Sequence, residues 1–220
     1  MPGENQDFTD AELEALKTAI SLPRFGNYLV AAGFDEQRAL RLYMWNSQIG
    51  EAFYLPLQAI EVGLRNRISG ALTNRFNSDW WQEPTFLAIL DQERQTDLDL
   101  VIRRIRNRNL ALCTDQVVAG LSFGFWVGLL DGRYNPPVWS KELRTAFPHL
   151  PTGRARKSLA KAAQETAYLR NRISHHEPIH ARDLSADYAS MMKFLAWICP
   201  TKARWVKQHS RVPELLRQKP

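Results

Sequence analysis

Between Glu51 and Phe76, the apolar residues Leu57, Ile60, Leu64, Ile68, Ala71 and Leu72 recur at steps of three and four. That period lines one face of a helix; a strand would alternate at two. A helix this long must bury its stripe against other helices, and the rest of the chain supplies them. Thr9-Asp10-Ala11-Glu12 reads as a capping box opening a first short helix. Pro23 and Gly33 punctuate the next segments, and Asp35 starts a helical stretch through Arg38, Leu42 and Trp45. Pro56 is expected to kink or restart the long element. Residues 91–110 place Leu98, Val101, Ile102 and Ile105 on one face and Arg103, Arg104, Arg106 and Arg108 on the other. Val117 to Leu130 is apolar around most of a helix and is expected to be buried.

Turn-rich residues from Asp131 to Pro137 form a loop, and Trp139 to Phe147 a short amphipathic piece. Pro148 and Pro151 break the chain before a long helix from Gly153 to about Ser174. A further helix runs from Leu184 to Trp197 and stops at Pro200, and the tail from Lys202 holds one or two short helices. No strand alternation and no internal repeat is visible. The fold class is therefore all-α, with long helices packed as a bundle. With 220 residues and no clear linker, the expectation is a single domain over 1–220.

Composition narrows the function classes. Hydrophobic residues make up 45% and charged residues 24%, as in ordinary globular proteins. No apolar run approaches the roughly 20 residues of a membrane helix. The polar, acidic start MPGENQDFTDAE has no signal-peptide pattern. Cys113 and Cys199 are not in a Cys-x-x-Cys pair, lie in apolar surroundings and are read as two buried thiols of a reducing cytoplasm. The net charge of +6 favours polyanionic partners such as RNA or DNA.

The chemistry concentrates in RNRISHHEPIH, Arg170 to His180. Arg170 offers a fork of donors to phosphate oxygens. His175 can take or give a proton near neutral pH, and Asn171 can orient either partner. The Arg-to-His spacing also occurs at Arg144–His149 and Arg204–His209, but there Thr145 and Trp205 stand where the middle copy has Asn171. On an unbroken helix Arg170 and His175 would point about 140° apart, while Asn171 and His175 would share a face. Convergence needs a distortion or an end near residue 174, which Pro178 favours, or a second copy of the chain. The bland alternative is a helix terminus with a surface Arg and a capping His.

His176-Glu177-Pro178-Ile179-His180 also matches the letters H-E-x-x-H. A zincin needs both His on one helical face, and proline at the third position suits only a first turn. Asp183 and Ala186 occupy the positions where a metzincin would place its further ligand. A structural site from His175, His176 and His180 would lack cysteines, so no metal or other cofactor is assigned. Arg154, Arg156, Lys157 and Lys161 are read as a nucleic-acid track or as solubilising charge. The same two readings apply to the strip from Arg103 to Arg108. Glu61 and Arg65 are spaced for an intrahelical ion pair. Tyr43, Trp45 and Trp126 are read as core. There is no Gly-rich phosphate loop and no Ser nucleophile elbow.

Taken together, four blocks resemble the Abi-like (abortive infection) family of the HEPN superfamily. They are Tyr43-Met44-Trp45-Asn46 with Leu57 to Asn66; Leu121-Ser122-Phe123-Gly124-Phe125-Trp126; Tyr168-Leu169-Arg170-Asn171 through His175 and Pro178-Ile179; and Asp187-Tyr188 leading to Trp197-Ile198. They span about residues 40–200. The resemblance implies a HEPN-like helical bundle with additional helices and a metal-independent endoribonuclease site. Arg170, Asn171 and His175 match the family's catalytic motif position by position. Glu61, Arg65 and Asn66 match a second block and are read as supporting residues, as is His176. Two motifs commonly meet across a dimer, so a homodimer is implied. RNA is the implied substrate, cut by attack of its own 2′-hydroxyl, in a cytoplasmic phage-defence toxin that an antitoxin would restrain. The alternative is a non-catalytic HEPN module that binds RNA or protein.

Overall fold

The computed structural model describes residues 7–220; the start of the chain, with part of the segment read as lacking a signal peptide, lies outside them. The described residues contain twelve α-helices and no strand, so the fold class is all-α. In chain order these are α1 (Asp10–Ile20), α2 (Leu22–Ala31), α3 (Glu36–Arg75), α4 (Pro84–Leu87), α5 (Gln92–Asn107) and α6 (Thr114–Gly120). They continue with α7 (Phe123–Gly128), α8 (Ser140–Ala146), α9 (Arg156–Ser174), α10 (Leu184–Ile198), α11 (Pro200–His209) and α12 (Val212–Arg217). No helix among them is long and apolar enough to cross a membrane. The chain divides into two compact units. The first takes the chain up to Tyr54, Arg172–Ala186 and Ser210–Pro220; the second takes Leu55–Asn171 and Asp187–His209.

In the first unit, the capping box at Thr9 forms as expected. Its hydroxyl accepts from the Glu12 N–H at 3.4 Å, and the Glu12 carboxylate accepts from the Thr9 N–H at 2.8 Å. The two helical stretches read on either side of residues 46–50 are one helix, α3. Leu42, Trp45, Ile49 and Phe53 are all buried and carry a single stripe across the join, so nothing there favours a break. Pro56 neither ends nor restarts this helix. The Trp45 indole N–H donates to the Leu215 carbonyl at 2.7 Å, which fixes α12 within the unit. Tyr28 of α2 is buried and meets Tyr43 edge-on at 5.2 Å.

α2 ends in a double hydrogen bond that returns the chain. The Gly33 N–H donates to Val30 O (3.1 Å) and the Phe34 N–H to Leu29 O (2.9 Å). Gly33 has φ 68°, the left-handed conformation that this helix ending requires and glycine adopts at least cost.

The second unit is built around aromatic packing. Trp80 lies 5.3 Å from Phe86 and 6.0 Å from Trp126, both edge-on, and all three rings are fully buried. The apolar run Val117 to Leu130 is largely buried, but as two short helices. Ser122 interrupts it by accepting the Phe125 N–H at 3.1 Å, a cap that opens α7. α3 and α10 approach closely at Gly63. A β-carbon there would stand 2.9 Å from Ile198 Cγ2, and Arg67 donates twice to the Ile198 carbonyl, at 3.2 and 3.0 Å. Pro200 stops α10 and also opens α11, where its missing N–H costs nothing.

The cysteines depart from the sequence reading. Cys113 is exposed and Cys199 only partly covered. Cys113 sits in the link that leads out of α5, beyond the stripe that buries that helix. Cys199 precedes α11, where its Sγ accepts from the Lys202 N–H at 3.5 Å.

Candidate functional site

α9 ends at Ser174, as Pro178 led us to expect, and His175 is the first residue beyond it. The ending repeats the pattern seen at Gly33. The His176 N–H donates to Ile173 O at 3.0 Å and the Glu177 N–H to Arg172 O at 2.8 Å. His176 takes the left-handed position with φ 55°. Histidine is tolerated there better than most residues but carries strain that glycine would not.

Arg170 and Asn171 belong to the second unit's share of α9 and His175 to the first unit. Arg170 is half-buried, whereas Asn171 and His175 are exposed. The Arg170 guanidinium donates to the Asn171 side-chain oxygen at 3.3 Å, so the cation and the amide of the motif are in contact. The Arg144 copy of the spacing is different. Its guanidinium donates to the carbonyls of Leu150 at 2.8 Å and Arg154 at 3.1 Å and thus holds a loop. In the third copy, His209 packs edge-on to Trp205 at 6.0 Å.

Beyond His175 the first unit grips the main chain. Arg24 donates to the His176 carbonyl. Arg172 donates to Pro178 O at 2.7 Å and pairs with Glu177 at 3.3 Å. The Asn46 side-chain oxygen accepts from both Ile179 N–H (2.7 Å) and His180 N–H (3.1 Å). Lys219 donates to His180 O at 2.8 Å. His180 is buried, 4.9 Å from the Tyr28 ring. Burial, with a smaller contribution from Lys219, lowers its pKa below the usual histidine value. Burial raises the Tyr28 hydroxyl to about 12.

The H-E-x-x-H letters do not form a metal motif. Residues 175–180 are not helical, His176 is exposed and His180 is buried, so the pair shares no helical face. Among the described residues no group of three or more His, Cys, Asp or Glu side chains is placed to hold a metal ion. Asp183 caps α10, accepting from the Ala186 N–H at 2.9 Å.

In the second unit, the expected Glu61–Arg65 ion pair is not formed. The Arg65 Nε is buried without a hydrogen-bond partner. Burial holds the Lys202 pKa below the usual lysine value, and the Arg65 cation adds a smaller lowering. Asn66 is exposed. Of the basic residues opening α9, Arg156 donates to Leu130 O and Lys161 faces Glu165 at 3.8 Å, while Arg154 and Lys157 are exposed. Tyr43 is partly buried, and Trp45 and Trp126 are core as read.

Sequence reasoning missed Arg24, Asn46 and Lys219 as anchors of the segment after His175. Asn46 had a legible signal, since a polar side chain stands between Trp45 and Ile49 on a buried face. Comparison of the chain with family models, with curated proteins and with solved structures finds no significant match in any of the three.

Proposed function

We propose that the protein is a metal-independent endoribonuclease of the HEPN type, an Abi-like effector of phage defence. The observation that carries this reading is the state of Arg170, Asn171 and His175. Arg170 contacts Asn171, and Asn171 and His175 are exposed at a helix end, while the Arg of the rival Arg144 copy is committed to loop carbonyls.

The chemistry follows from the residue types. The 2′-hydroxyl of the RNA attacks the adjacent phosphorus in line, and the bond to the 5′-oxygen breaks. His175 moves a proton, either from the attacking hydroxyl or to the leaving oxygen. Arg170 stabilises the charge that builds on the non-bridging oxygens. Asn171 holds Arg170 in place and is available to the phosphate. The products are a 2′,3′-cyclic phosphate and a 5′-hydroxyl, and DNA is not cut. Glu61, Arg65, Asn66 and His176 support the site, and Arg154 and Lys157 are free to meet the RNA backbone. Two copies of the chain supply two motifs to one composite site, and an antitoxin restrains the cytoplasmic enzyme.

The test is cleavage of pooled tRNA and mRNA in excess EDTA by the wild type, Arg170→Ala and His175→Ala, with folding followed by circular dichroism. Cutting by the wild type alone supports the reading. Loss of cutting in EDTA would overturn the metal-independent reading. Absence of cutting with intact RNA binding selects the non-catalytic binding module.

A further inference from the structure

We propose that the C-terminal end of α5 is a docking surface for the phosphate backbone of single-stranded RNA. Charge is segregated along this helix. At its start Arg94 is buried and gathers the acidic residues, with Glu93 at 2.7 Å and Asp91 and Asp97 each at 3.9 Å. At its end Arg103, Arg104, Arg106 and Arg108 are all exposed. None of the four has a carboxylate within 4.0 Å among the described residues. Even Asp99, one turn before Arg103, offers its backbone carbonyl (3.4 Å) and not its carboxylate.

The ordinary explanation for arginines at a helix end is that they satisfy the last carbonyls and offset the helix dipole. Here the backbone already does the first job. The Asn109 N–H donates to Arg106 O at 2.9 Å, the Leu110 N–H to Ile105 O at 3.2 Å and the Arg108 N–H to Arg104 O at 3.2 Å. Asn109 turns the chain with φ 53°. Four guanidinium groups within six residues therefore repel one another without a capping role, on a helix anchored by buried Leu98, Val101 and Ile105. An arriving polyanion relieves that repulsion.

The residue types favour a nucleic acid. All four cations are Arg, whose planar fork matches phosphate oxygens two at a time. The exposed Asn107 and Asn109 interleave amides that can meet sugar hydroxyls and base edges. A membrane face would need a broad apolar side beside the charge, and the exposed large apolar residues of this region are Leu100 at 40% and Leu110 at 46%. The choice of RNA over DNA rests on the ribonuclease reading above.

The experiment is equilibrium binding of a fluorescent 20-nucleotide oligouridylate across a salt series. The full chain carrying His175→Ala is used so that the probe is not consumed. It is compared with the same chain carrying Arg103→Gln, Arg104→Gln, Arg106→Gln and Arg108→Gln, and with a version carrying four Arg→Lys changes. Single-stranded binding loses about 0.7 in the slope of log affinity against log salt for each phosphate contact. The Gln variant is expected to bind roughly 10-fold or more weakly, with a slope shallower by about 2–3. The Lys variant is expected to keep the slope and lose part of the affinity. Unchanged affinity and slope in a folded Gln variant would overturn the proposal. So would failure of the parent chain to bind RNA, or tighter binding to phosphatidylserine vesicles than to RNA. RNA bound through these arginines but never cut by the wild type would sink the ribonuclease reading and leave this surface standing.

Discussion

The eleven residues from Arg170 to His180 are two regions of opposite character. In the first, Arg170 to His175, the informative side chains touch each other or solvent: Arg170 meets Asn171, and His175 is exposed. In the second, His176 to His180, the main chain is held at five points by Arg24, Arg172, Asn46 and Lys219. The sequence carries Arg, Asn, His or Glu in both. The difference teaches that titratable residues packed into one string need not share a job. The first region leaves its side chains exposed or touching one another, and the second fixes its main chain.

The largest effect expected is on the first region. Arg170→Ala and His175→Ala should each lower RNA cleavage by about 10²–10⁴-fold, the range for losing a positioned proton carrier or charge stabiliser. Melting temperatures should stay within roughly 2 °C of the wild type, as for exposed or half-exposed positions. Substantial unfolding in either variant would break the comparison, since it would make the first region scaffold as well.

Next comes Asn46. Its side-chain oxygen accepts from two buried backbone N–H groups, and it is 8% exposed. Asn46→Ala leaves both donors without an acceptor, at a cost of about 2–4 kcal/mol. Urea denaturation measures this directly. A loss under 1 kcal/mol, on the scale of an ordinary surface change, would show that the second region is not held as described.

Asn46 also marks where the sequence stopped being legible. The helical stretches and the capping box at Thr9 follow from local spacing, because burial repeats every three to four residues. The motif itself was readable as letters. Its fixation was not: Arg24 reaches His176 across 152 residues and Asn46 reaches Ile179 across 133. No local pattern encodes such pairings. The break at Ser122 was hidden for the opposite reason. Gly120 and Ser122 are a stop and a cap residue, but the apolar run around them reads as one buried helix, and periodicity does not separate one buried helix from two short ones. The Glu61–Arg65 spacing was right for a pair on a helix, yet both side chains are half-buried and the Arg65 Nε is buried without a hydrogen-bond partner. The few tenths of a kcal/mol such a pair offers are too small to fix two side chains against the packing around them.

A smaller effect is expected from His180, read through pH. Its folded pKa lies below the ordinary histidine value of 6.5, chiefly through burial and then through Lys219. The unfolded chain therefore binds the proton more readily, and stability falls as pH drops through about 6.5. Tyr28, which packs on the ring, titrates at about 12 and stays neutral throughout this window. Denaturation midpoints between pH 8 and pH 5 should decline for the wild type and flatten in His180→Gln. A wild-type curve no steeper than that of the variant would mean that His180 accepts a proton in place, and the second region would then be less closed than its geometry implies.

The smallest effect sharpens the boundary between the regions. His176 is exposed, and the structure uses its backbone twice, as the left-handed turn residue and as the carbonyl that Arg24 holds. Only backbone preference should then decide stability at this position. His176→Gly relieves left-handed strain of about 1–2 kcal/mol but adds about 0.5–1 kcal/mol of unfolded-chain entropy, for a net gain between zero and about 1.5 kcal/mol. His176→Val places a β-branched residue in the same conformation and should lose about 1–2 kcal/mol. The expected order of stability is therefore Gly at or above His, with Val below, measured by urea denaturation. A Val variant as stable as the wild type would contradict the left-handed ending of α9. Cleavage measured on the stable Gly variant then places the side chain. A drop in rate at full stability assigns the His176 imidazole to the chemistry of the first region, whereas an unchanged rate leaves residue 176 as the first residue of the scaffold.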